Sequence, residues 1–153
     1  LTNITWDMVK DAPTFDRIAS RVIDILSGKV FVAHNAPFDW KFVSTEVRRA
    51  SGTSLYGRRL CTVKLARQVL PQLSRRSLDY VANYYGVEIT ARHRAGGDAL
   101  ATAGCLIRLL NDAADRGCTT WQELDLLLGA RTARRKGRRF RAMPAPVTKD
   151  TTS

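Results

Sequence analysis

The chain has 153 residues, 44% hydrophobic and 25% charged, with a net charge of +11. That length fits one globular domain with a real core, and no apolar run approaches the roughly 18 residues that a membrane helix needs. There is no basic-then-apolar secretion signal and no initiator Met, so the sequence reads as an internal piece of a longer, cytoplasmic protein. Three cysteines (Cys61, Cys105, Cys118) are an odd number without CxxC spacing, and read as reduced, partly buried small hydrophobes. Most of the positive charge lies in 131–153, where eight basic side chains meet one acid. The remainder is mildly basic, which suits a polyanionic partner without requiring one.

Residues 1–12 read as irregular. Asp11-Ala12-Pro13 predicts a helix start with proline in the first turn, and Phe15, Ile18, Val22, Ile25 and Leu26 recur at helical spacing up to Gly28. VFVA (30–33) is short and wholly apolar, the pattern of a strand buried on both faces. A turn over Asn35–Asp39 and a helix from Phe38 to about Ala50 follow. RRLCTVKLARQVL (58–70) predicts a brief strand ending near Thr62 and then a helix stopped by Pro71. Ser77 and Gly86 bracket a helix through Tyr84. Residues 99–117 form a long helix rich in small residues, and Thr120-Trp121-Gln122-Glu123 is a capping box opening a last helix to about Leu128. After Gly129 the chain is poor in apolar residues and reads as a disordered tail, 130–153. Strands alternating with helices give an α/β class. Trp6, Trp40 and Trp121, with Tyr80, Tyr84 and Tyr85, read mainly as packing residues.

Two short stretches carry chemistry. In HNAPFD (34–39), Asp39 follows the apolar strand by a few residues, at the carboxyl end where open α/β sheets place ligands. Taken alone it reads equally well as an acid stabilised by a helix dipole. In HRAGGD (93–98), His93 and Asp98 stand five apart around a glycine pair, which puts His93 on a loop and Asp98 just inside the long helix. Singly, these too read as a surface histidine and a helix-start acid.

Together, in order, the stretches resemble the DEDDh family of proofreading-type 3′→5′ exonucleases, which includes the epsilon subunit of bacterial DNA polymerase III. VAHNAPFDWKFV (32–43) is similar to the family's second motif, with Asp39 matching its acid. RHRAGGDALATA (92–103) is similar to its third, a histidine followed five residues later by an aspartate. LTNIT (1–5), MVKDAPTF (8–15) and CTVKLAR (61–67) resemble the segments flanking or joining these motifs, so the likeness runs to about residue 112.

The resemblance implies phosphodiester hydrolysis at DNA 3′ ends with two divalent ions, Mg²⁺ or Mn²⁺. It gives Asp39 and Asp98 the ions to hold and makes His93 the general base. Asn35 and Phe38 become candidates to contact the terminal nucleotide, though Asn35 alone could simply close the turn and Phe38 could simply be core. The implied partners are a single-stranded DNA 3′ end and a DNA polymerase subunit. The family's first motif, D-x-E on the first strand, has no counterpart here, since Asp7 and Asp11 have neither the spacing nor a strand context. Because LTNIT already matches a region downstream of that motif, the expected fold is an N-terminally truncated RNase H-like exonuclease. Its first strands are missing, and 1–129 would form the C-terminal portion of the domain. Such a fragment is expected to be inactive alone. The alternative is a noncatalytic nucleic-acid-binding or polymerase-scaffold module, supported by the missing motif and by RTARRKGRRFR (131–141), with seven basic residues and no acid.

Overall fold

The computed structural model describes residues 4–90 and 94–129. In chain order these form α1 (Trp6–Val9), α2 (Phe15–Leu26), β1 (Phe31–Ala33), α3 (Ala36–Ser51), β2 (Arg59–Cys61), α4 (Thr62–Val69), α5 (Leu78–Tyr85) and α6 (Ala95–Ala114). The architecture is α/β, as the alternation of patterns predicts. β1 and β2 pair in parallel, Phe31 opposite Arg59, Val32 opposite Leu60 and Ala33 opposite Cys61, with α3 as the crossover that parallel strands require.

Several boundaries shift for local reasons. Residues 1–12 are not wholly irregular, since α1 occupies part of them. Thr14 is the N-cap of α2, so Pro13 precedes the helix instead of opening it. His34 and Asn35 make the turn after β1, Asn35 in the left-handed conformation (φ 82°, ψ 43°), and α3 starts at Ala36 with Pro37 in its first turn. α6 begins at Ala95, absorbing the Gly96-Gly97 pair that reads as loop in the sequence. β1 is half-exposed along its length and not buried on both faces, because β2 is its one strand neighbour among the described residues. β2 is better covered, with Leu60 and Cys61 buried.

The chain divides into two units, Leu1–Gly117 and Cys118–Ser153. The core of the first lies where α4 and α5 pack on α6, with Leu65, Val69, Val81, Cys105 and Leu109 wholly enclosed. α2 packs separately on α3. The C-terminal carbonyls of α4, which have no partner inside the helix, are met by two arginines. Arg116 donates to the Gln68 carbonyl at 2.8 Å and to the Val69 carbonyl, and Arg76 donates to the Leu70 and Pro71 carbonyls at 3.1 and 3.3 Å. Two cations at that end also complement the helix dipole.

In the second unit residues 121–129 are helical. The expected capping box forms: the Glu123 carboxylate accepts from the Thr120 amide at 2.8 Å, and the Thr120 hydroxyl accepts from the Glu123 amide at 3.3 Å. The amides of Thr119 and Thr120 hold the Glu123 carboxyl below its usual pKa. All three cysteines are free thiols, Cys61 and Cys105 buried. The tail from 130 onward lies outside the described residues.

Candidate active site

Asp39 stands in the first turn of α3 and Asp98 in the first turn of α6. At a helix N-terminus, unpaired amides favour a negative side chain. Both residues are half-buried, and neither carboxylate makes a hydrogen bond or ion pair with any described residue. A packing path joins the two helices, from α3 to both strands, from β2 to α4 and from α4 to α6. Among the described residues, no group of three or more His, Cys, Asp or Glu converges to hold a metal ion. His93 lies outside the described residues.

Carboxylate oxygens match a hard divalent cation in donor chemistry.

Asn35 closes the turn, as one of its two readings expects, and its side chain makes no capping bond to α3. Phe38 is 62% exposed and so is not core. It sits one helical turn from Phe42, itself 63% exposed, with ring centroids 5.8 Å apart. Two neighbouring open rings beside Asp39 form a surface on which a flat base can stack. The sequence reading passes over Phe42, although its i,i+4 relation to Phe38 was available as a signal.

His34 is a second residue passed over. It follows β1, is half-buried, and has a partner on each ring nitrogen: the Thr62 hydroxyl 2.8 Å from Nδ1 and the Arg76 carbonyl 2.9 Å from Nε2. Burial pulls its pKa below the usual histidine value, while the Arg76 carbonyl and the carboxylates of Asp79 and Asp39 pull the other way. The last contribution places Asp39 within electrostatic reach of this ring.

Trp40 packs edge-on against Phe31 at 5.3 Å, and the Arg59 guanidinium lies 5.2 Å from the centre of its ring. It also lines a cleft of about 230 Å³ with Ser44, Thr45, Arg48, Ser54 and Leu55, which includes neither Asp39 nor Asp98. Trp6 is 76% exposed, so it is not a core residue.

The sequence profile of the exonuclease family, RNase T type, matches residues 1–106. The chain belongs to the exonuclease family. The matched span includes Asp39, His93 and Asp98, and the DEDDh resemblance is borne out by it. The chain is also 34% identical over 149 residues to the PolC-type DNA polymerase III of Staphylococcus aureus, strain bovine RF122 / ET3-1, covering 97% of this chain and 10% of that protein. With the PolC-type polymerase III of Staphylococcus haemolyticus it is 32% identical over 139 residues, 90% of this chain and 10% of the relative. It thus spans about a tenth of the length of these relatives. No helix among the described residues of this exonuclease-family chain is long and apolar enough to cross a membrane.

Proposed function

We propose that this chain is part of a 3′→5′ proofreading exonuclease, carried in a DNA polymerase of the PolC type, that trims single-stranded DNA 3′ ends with two Mg²⁺ or Mn²⁺ ions. The observation that carries this reading is a pair of half-buried carboxylates without described partners. They open α3 and α6 within the span matched by the exonuclease family.

In this mechanism Asp39 and Asp98 contribute oxygen ligands from rigid helix starts, so they need little reorganisation. When bound, the ions supply Lewis-acid stabilisation of the charge that develops on the scissile phosphate and on the leaving oxygen. His93, neutral near physiological pH, accepts the proton of the attacking water. Phe38 stacks the terminal base, and Asn35 offers a polar contact to the same nucleotide.

The fold proposed with this function is RNase H-like, with further strands and the remaining acids supplied from upstream in the same polypeptide. Two observations support it: the parallel sheet of the described residues has two strands of three residues each, and β1 is half-exposed along its length. On this reading the 153 residues by themselves are inactive.

The test is a 3′-exonuclease assay of the parent polymerase on labelled single-stranded DNA, with Mg²⁺ or Mn²⁺ and with a 3′-blocked control. His93→Ala is expected to slow trimming by roughly 10²–10⁴-fold, the usual contribution of general-base catalysis. Asp39→Ala and Asp98→Ala should abolish it, and chelation should do the same reversibly. Wild-type rates in both aspartate variants would sink the proposal in favour of a noncatalytic binding module. An RNA oligonucleotide in parallel shows whether the 2′-OH is rejected.

A further inference from the structure

His34 is bonded at both ring nitrogens. The Arg76 carbonyl can only accept, so Nε2 carries the ring proton and donates it. In the neutral ring Nδ1 is then the acceptor for the Thr62 hydroxyl. Both ring nitrogens are thus engaged by partners in the protein.

The two bonds join segments far apart in sequence. The ring at the end of β1 reaches the start of α4, 28 residues on, and the loop before α5, 42 residues on. Immediately after it, Asn35 holds a left-handed conformation, which asparagine adopts more readily than most non-glycine residues. The side chain of Asn35 makes no capping bond to α3, so the anchor next to this turn is the His34 ring. The turn sets the angle at which α3 leaves β1, and Asp39 rides on the first turn of α3.

We propose that His34 is a positioning residue: its doubly bonded, neutral ring fixes the β1–α3 turn and thereby the place of the Asp39 carboxylate. The inference rests on the reading of Asp39 as a metal ligand, and the experiment separates the two.

In the full-length polymerase, His34→Ala is compared with His34→Asn, which keeps an acceptor near Thr62, and His34→Gln, which keeps a donor toward Arg76. Thr62→Val and Thr62→Ser remove and retain the hydroxyl. The expected loss in kcat for exonuclease cleavage is about 10- to 100-fold in His34→Ala, as for other outer-shell partners of metal ligands, with KM for the DNA end within about twofold. His34→Asn and His34→Gln should each recover part of it, and Thr62→Ser more than Thr62→Val. Hydrogen exchange of amides 35–40, measured without metal, should be about tenfold faster in His34→Ala than in wild type, the fold-change expected for a turn that has lost its anchor. Wild-type kcat in His34→Ala, alongside an inactive Asp39→Ala, overturns the positioning role and leaves the proposed function standing. Unchanged exchange at 35–40 overturns it as well. Full activity in Asp39→Ala removes both.

Discussion

Burial and hydrogen bonding pull on His34 in opposite directions, and burial is the larger influence, so its pKa falls below the ordinary value. In an unfolded chain the ring titrates near about 6.5. The folded state therefore binds its proton less readily than the unfolded state does. The stability held at this residue is complete above about pH 6.5 and is lost as pH falls from there through the folded pKa. We expect segments 59–66 and 71–78, which carry the Thr62 and Arg76 partners, to lose protection as pH falls below about 6.5. Hydrogen exchange corrected for its intrinsic pH dependence measures this, with His34→Gln as the flat reference. An equally steep profile in His34→Gln would show that the titrating group lies elsewhere. None of this network was legible in the sequence, since the ring's partners lie 28 and 42 residues away and one of them is a backbone carbonyl. Asp39 and Asp98 were legible because their placement depends on local pattern alone: an apolar strand and a turn before one, a glycine pair before the other. The exposure of Phe38 was not, because an aromatic in a helix's first turn has the same pattern whether it is covered or open.

At the scale of elements, local signals located most of the helices, and tertiary surroundings decided the rest. The Thr120–Glu123 capping box formed as read, for both of its bonds join residues three apart. The burial of β1 was misread because an apolar run records what a strand can cover itself with, not which neighbours it has. The junction of α5 and α6 shows another contact hidden from pattern. The Tyr85 hydroxyl donates to the Asp112 carboxylate at 2.6 Å, and burial, followed by this bond, pushes the phenol well above its usual pKa. Tyr85→Phe removes the donor and leaves a half-buried carboxylate with one partner fewer. We expect a loss of about 1 kcal/mol, the low end for an unsatisfied group because Asp112 keeps some solvent. Urea denaturation of Tyr85→Phe against wild type measures it, and Tyr85→Phe/Asp112→Asn checks the coupling, since the two losses should not add. Full additivity would mean that the bond contributes nothing to holding α5 on α6.

For the whole molecule, the informative surface is the one that is too apolar. On α6 the buried face presents Ala101, Cys105, Leu109 and Ala113, while Leu100 and Ile107, on the opposite side, are 71% and 61% exposed. Scattered exposed hydrophobes are ordinary, but a helix with apolar residues on both sides belongs inside a layered fold, covered on each. Parallel sheets, too, occur with both faces covered. If upstream residues of the parent polymerase complete the sheet, they should cover much of this surface. Leu100→Ser/Ile107→Ser would then act in opposite directions in two settings. In the isolated 153-residue chain it should raise solubility and reduce binding of a hydrophobic dye, with little loss of stability. In a longer piece of the polymerase that includes the upstream region, the same pair should destabilise by about 1.5–3 kcal/mol for each side chain no longer apolar and buried. Equal tolerance in both settings would show that nothing upstream packs against α6, and the proposed RNase H-like completion would fall with it.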